Sequence, residues 1–239
     1  MRLAFRRTSI VITLFAFFLT LDHGTSDADE YQYFRNIQGG STGTAGWDLF
    51  QGASYNGPHA ADQGSSGFSS AALSVNNNGG GAGFITASKD LYSFFSSPVW
   101  QISTSGMNAT LPFTGVALQV ASTPDQLGGL LDATDFLLNG NQADRFAVLG
   151  QFSMLNAGGG QPPQPVYYYF AAWDALTAGS SYSLAVGPPA QNHTVLAGAK
   201  LDYVNTSDAS FRINAVPEPA SAILFAMFGL ATYRRRAPQ

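Results

Sequence analysis

The 239-residue sequence has no cysteine, and its Lys and Arg together number only 11. Without thiols there is neither a disulfide framework nor a thiolate metal site, so stability has to come from packing. Glutamate is nearly missing as well, with Glu30 and Glu218 its two occurrences, and no window shows a sustained 3.6-residue apolar period with caps. Basic charge is concentrated at the ends, in Arg2, Arg6 and Arg7 and in Arg234, Arg235 and Arg236. Between residues 29 and 215 only Arg35, Lys89, Arg145, Lys200 and Arg212 face twelve acidic residues, a net charge of −7. A body so poor in cations has no grip on phosphate backbones, which argues against nucleic acid and against anionic membrane surfaces as partners.

What is present at the two ends reads as targeting. The three N-terminal arginines precede an apolar run over residues 10–21, and the small residues Ser26 and Ala28 follow it. Charge, apolar run and small residues in that order make a secretory signal peptide. About 12 apolar residues are too few to span a bilayer, so cleavage by a signal peptidase after Ala28 is expected. At the other end Val216-Pro217-Glu218-Pro219 stands before an apolar run over residues 220–233, and Arg234-Arg235-Arg236 closes it. A helix of about 14 residues covers roughly 21 Å, short of the ~30 Å hydrocarbon core, so it holds a chain in a membrane only transiently. The arginines act as a cytoplasmic stop, which puts the prolines on the outer side. Proline fixes φ and favours extended geometry in the residue before it, a backbone shape that a processing enzyme can grip.

These three parts in order closely resemble the PEP-CTERM sorting signal of Gram-negative bacteria, over about 24 residues. The resemblance implies recognition of Val216, Pro217, Glu218 and Pro219 by a membrane-embedded exosortase. It also implies association with the envelope and with exopolysaccharide or biofilm material.

The body reads as all-β. Short apolar or alternating runs recur between turn residues, with strands expected at 84–88, 92–95, 99–104, 113–121, 134–138, 146–155, 166–173, 182–186 and 200–204. Val166-Tyr167-Tyr168-Tyr169-Phe170-Ala171-Ala172-Trp173 is apolar on both faces and is expected to be a central strand. Asn139-Gly140-Asn141, the stretch 76–81 and the stretch 158–163 signal turns. About eight strands at this spacing predict a single antiparallel β-sandwich, jelly-roll-like, with a signal helix before it and a short hydrophobic helix after it. The expected divisions are 1–28, 29–215 and 216–239. Residues 31–78, rich in Gly and Ser with Trp47 and Phe50 as anchors, are expected to form a strand wrapped by long loops, or to be partly mobile. Gly83-Phe84-Ile85-Thr86, Leu91-Tyr92-Ser93-Phe94, Asp135-Phe136-Leu137-Leu138-Asn139-Gly140, Trp173-Asp174 and Lys200-Leu201-Asp202 are similar in order to β-sandwich ectodomains that carry this sorting tail.

Candidates for chemistry are few. Gly39-Gly40-Ser41-Thr42-Gly43 matches the Gly-x-Ser-x-Gly pattern, but no strand-to-helix context surrounds Ser41. After removal of the signal peptide His59 and His193 remain, outside any zinc spacing and expected to be solvated in loops. Asp132, Asp135, Asn139, Asn141 and Asp144 offer oxygen ligands suited to Ca²⁺, and equally the turn chemistry of an Asn-Gly hairpin, the reading we favour. Trp47, Trp100, Trp173 and the tyrosines at 167–169 could stack on sugars, with Trp173 the best placed, but core packing is the favoured reading for them. The expectation is an exported cell-surface or extracellular-matrix protein without enzymatic activity or cofactor, transiently anchored in the inner membrane. A secreted carbohydrate-binding module is the first alternative and a secreted hydrolase the second.

Overall fold

The longest apolar run of the body becomes its longest strand. The computed structural model describes residues 30–51, 54–77, 83–93, 98–155, 163–187 and 193–215. The expected terminal helices, 1–28 and 216–239, lie outside these residues, and among the described residues no helix is long and apolar enough to cross a membrane. In chain order the strands are β1 (Gly43–Trp47), β2 (His59–Ala60), β3 (Ser65–Ser66), β4 (Ser70–Asn77), β5 (Gly83–Ile85), β6 (Leu91–Ser93), β7 (Pro98–Ser105), β8 (Phe113–Ser122), β9 (Phe136–Leu138), β10 (Asn141–Gln142), β11 (Arg145–Leu155), β12 (Gln164–Thr177), β13 (Ser183–Val186) and β14 (Thr194–Thr206).

They form two antiparallel sheets. One runs β11-β12-β8-β14-β1-β3, with the β5–β6 hairpin attached to β14, and the other runs β10-β9-β13-β7-β4-β2. The chain crosses repeatedly between them. The last strand lies between β1 and β8, with β12 beyond β8, while β13 lies between β7 and β9. This is the interleaved order of a jelly roll, and β11 departs from it by folding back on β12 as a hairpin in the same sheet.

The inner faces of the sheets meet in one cluster that includes Trp47, Trp100, Trp173, Leu118, Phe136 and Tyr203, all essentially buried. A residual void of about 10 Å³ between Trp100, Leu118 and Leu184 leaves room for no more than one water. The smaller sheet shows the one-sided pattern of a solvated face, with β7 alternating inward and outward.

The larger sheet is covered on both sides, which explains the unbroken apolar character of β12. Its outward residues Val166, Tyr168, Ala121, Val195 and Ala197 pack against Phe34. Phe170, Ala172 and Ala117 pack against Ile37 and Ile213. The coverings are the segment from the 3₁₀ turn Glu30–Tyr33 to Ile37, and the stretch after β14.

Most expected strands are present, with altered ends. The expectations at 84–88 and 92–95 resolve into the β5–β6 hairpin, closed by a turn in which Lys89 adopts φ 73° and Thr86 Oγ1 donates to Asp90 Oδ2 at 3.0 Å. Residues 31–78 depart further from the picture of one strand with long loops: β1 pairs along its whole length with β14, and β4 lies beside β7 in the other sheet. Gly43 and Gly46 explain why β1 escapes a propensity reading. A Cβ at Gly43 would overlap the Tyr203 ring, and one at Gly46 would overlap the ring of Tyr31, so close packing here requires glycine.

Candidate functional site

Two terminal straps meet on the outer face of the larger sheet. Ile37 pairs with Ala215 in an antiparallel bridge, and Gln38 N donates to Asn214 O at 2.7 Å. The C-terminal strap is fixed by Arg145 at the start of β11. Its guanidinium donates to Asp174 through Nε at 3.1 Å and Nη2 at 2.6 Å, and it also reaches Ile213 O and Asn214 Oδ1. Asp174 Oδ1 accepts from Ile213 N at 2.9 Å, so one carboxylate joins the strap to the sheet. The two-point pairing of guanidinium and carboxylate fixes orientation as well as distance. Ala215 is thus held one residue before Val216. The sorting residues Val216, Pro217, Glu218 and Pro219 and the arginines Arg234, Arg235 and Arg236 lie outside the described residues.

The N-terminal strap is fixed by a row of polar side chains unusual for the middle of a sheet. Gln119 on β8 is fully buried, donating from Nε2 to Arg35 O at 2.7 Å and accepting from Arg35 N at 2.8 Å. Its cross-strand neighbour on β14 is Lys200, whose Nζ donates to Arg35 O at 3.2 Å and to Asn36 Oδ1 at 3.3 Å. Asp202, two residues on and facing the same side, lies 3.4 Å from Nζ through Oδ2. Burial raises the Asp202 carboxyl above the ordinary range, with Lys200 and the Thr44 and Ser41 hydroxyls acting against it. These polar groups satisfy the backbone of a strap that has no strand neighbour of its own along Arg35.

The serine and histidine candidates do not come together. Ser41 lies beside Asp202, next to the start of β1, where Gly43 pairs with Tyr203. His193 precedes the opposite end of β14, about ten residues away and so roughly 30 Å along the strand. Its Nδ1 is 2.6 Å from Tyr92 Oη. His59 is buried on β2 rather than solvated in a loop: Nε2 is 3.1 Å from Tyr55 O, and the ring packs edge-on against Phe50.

The oxygen-rich stretch is taken up by local structure. Asp132 Oδ1 accepts from Thr134 N and Oγ1 at 2.7 and 2.6 Å, while Asp132 N donates to Asp135 Oδ2 at 2.7 Å, a reciprocal cap. The Thr134 bonds hold the Asp132 carboxyl below its ordinary value, whereas burial pushes Asp135 above it. Asn139 and Gly140 adopt φ of 49° and 83°, the two positive values of a tight hairpin turn, between β9 and β10. Asn139 Oδ1 accepts from Ser183 N, Asn141 O from Trp173 Nε1, and Asp144 Oδ2 from Asp174 N. Among the described residues no group of three or more His, Cys, Asp or Glu could hold a metal ion.

Trp47, Trp100 and Trp173 are all buried, as are Tyr168 and Tyr169, so none of them presents a face for stacking. Trp173, expected to be the most accessible of the three tryptophans, is 1% exposed. None of the protein-family models, curated proteins or solved structures compared with the chain matches it.

Proposed function

We propose that the chain is an exported cell-surface or extracellular-matrix protein, sorted by an exosortase through Val216-Pro217-Glu218-Pro219 and serving a structural or adhesive role. The observation that carries this reading is the order of the tail: Pro-Glu-Pro, an apolar run too short for a permanent anchor, then Arg234, Arg235 and Arg236. The strap geometry sets how far the motif can stand from the body. Ala215 is docked on the sheet, and four further residues at about 3.5 Å each bring Pro219 no more than roughly 14 Å away. Signal peptidase and exosortase are the transient partners in this reading, and the resemblance of the tail adds association with exopolysaccharide.

The test replaces Pro217, Glu218 and Pro219 together by alanine in an exosortase-containing host. The variant accumulates as unprocessed, membrane-bound precursor; release and trimming like the parent chain would refute the assignment.

A further inference from the structure

The polar row beneath the N-terminal strap holds more chemistry than anchoring requires. Gln119 pairs with both backbone groups of Arg35, and Lys200 Nζ adds a second bond to Arg35 O. Lys200 and Asp202 are nevertheless buried with it, at 8% and 3% side-chain exposure, and burying an ion pair in the middle of a sheet rarely yields net stability. Lys200 Nζ approaches the Asn36 carboxamide with its oxygen at 3.3 Å and the Asp202 carboxylate at 3.4 Å. An amine with a carboxamide on one side and a carboxyl group on the other has the components of an amide exchange around it.

We propose that Lys200 and Asn36 form an intramolecular isopeptide bond, with Asp202 carrying the proton.

A proton passed from Nζ to Asp202 Oδ2, 3.4 Å away, turns the buried ion pair into a neutral amine and a neutral acid. The raised affinity of the buried Asp202 carboxyl for a proton favours this transfer. The Nζ lone pair then attacks Asn36 Cγ, which lies one C=O bond, about 1.23 Å, beyond the oxygen already in contact. The Nζ–Cγ bond forms and the Cγ–Nδ2 bond breaks. A proton delivered by Asp202 lets Nδ2 depart as ammonia. Counted from the neutral amine, Nζ gives up one hydrogen, Nδ2 gains one and Asp202 ends as it began, so no oxidant or other reactant is needed.

The surroundings favour the step. Lys200 and Asp202 stand on the central strand β14, paired on both sides, and Gln119 fixes the strap at the residue next to Asn36. Holding two reacting groups in place in this way replaces the encounter that would otherwise limit the reaction. Asn36 is itself exposed, which leaves ammonia an exit to solvent. The bond would tie the N-terminal strap to the last strand across 164 residues of sequence, in a chain that has no cysteine to do so.

Peptide mapping of the protein tests the proposal. A branched peptide is expected, joining the stretch around Asn36 to the stretch around Lys200 and lighter than the two parts by one ammonia. Lys200→Arg keeps the charge but removes the amine, so its digest contains only the two linear peptides; Asp202→Asn leaves most of the chain unbranched. Linear peptides with intact Asn36 and Lys200 from the parent chain overturn the proposal whatever the variants do. Equal branching in Asp202→Asn overturns the role of Asp202.

Discussion

Arg145 and Asp174 face each other at 2.6 Å between β11 and β12, and the same carboxylate oxygen accepts the backbone N–H of Ile213. The pair is a clasp on the C-terminal strap rather than a surface ornament, since Ile213 beneath it is fully buried. Arg145→Ala leaves Asp174 with the strap amide but no cation, and should cost about 1–3 kcal/mol. Urea unfolding gives the magnitude. Limited proteolysis gives the location, with new cleavage expected between residues 207 and 215; unchanged protection there would contradict the clasp.

Gln119 serves the other strap. Gln119→Leu keeps the volume but leaves the N–H and C=O of Arg35 without that partner, a loss of about 1–3 kcal/mol. Hydrogen exchange at the Arg35 amide should speed up selectively, while exchange along β8 stays slow. Uniform acceleration over the sheet would mean that Gln119 supports the core instead.

Gly46 reports the closeness of the first strap to β1. Gly46→Ala places a methyl group where the Tyr31 ring lies, and overpacking of this kind costs about 1–3 kcal/mol. Tyr31→Ala in the same chain should recover part of the loss. Two losses that simply add would show that the contact is not what requires glycine.

Asp132 and Asp135, three residues apart, should titrate on opposite sides of 3.8. Asp132 lies below because Thr134 hydrogen-bonds its charged form, so its contribution to stability is present above 3.8 and fades as pH falls through its folded value. Asp135 lies above because burial disfavours its charge; the native chain holds that proton more tightly, and this contribution is lost as pH rises from 3.8 through the folded value. Carbon-detected NMR titration of the two carboxyls separates them. Thr134→Val should move Asp132 up and leave Asp135 nearly in place, and coincident titration at 3.8 would contradict the cap.

The body was legible where side chains alone report burial. Tyr167 to Trp173 announce a strand apolar on both faces, and Asn139-Gly140 announces its hairpin. β14 was legible only over residues 200–204, because Leu196-Ala197-Gly198-Ala199 lacks β-branched bulk; small residues suit a strand covered on both faces. β1 was hidden for a related reason, since its glycines are set by rings from elsewhere in the chain. The alternation Ala71, Leu73, Val75 in β4 was a readable signal, obscured by the Ser- and Asn-rich residues around it. The polar row of Gln119, Lys200 and Asp202 could not be read at all, because its members are brought to one face by strand register and join Asn36 only across the fold.

On the proposed reading both ends of the chain are addresses removed or processed during export, around a body that folds by itself. Intact mass and terminal sequencing of protein recovered from the envelope of its native host report both ends together. The account predicts a chain that starts near Asp29 and no longer carries Arg234, Arg235 and Arg236, whereas one running from Met1 to Gln239 would contradict it.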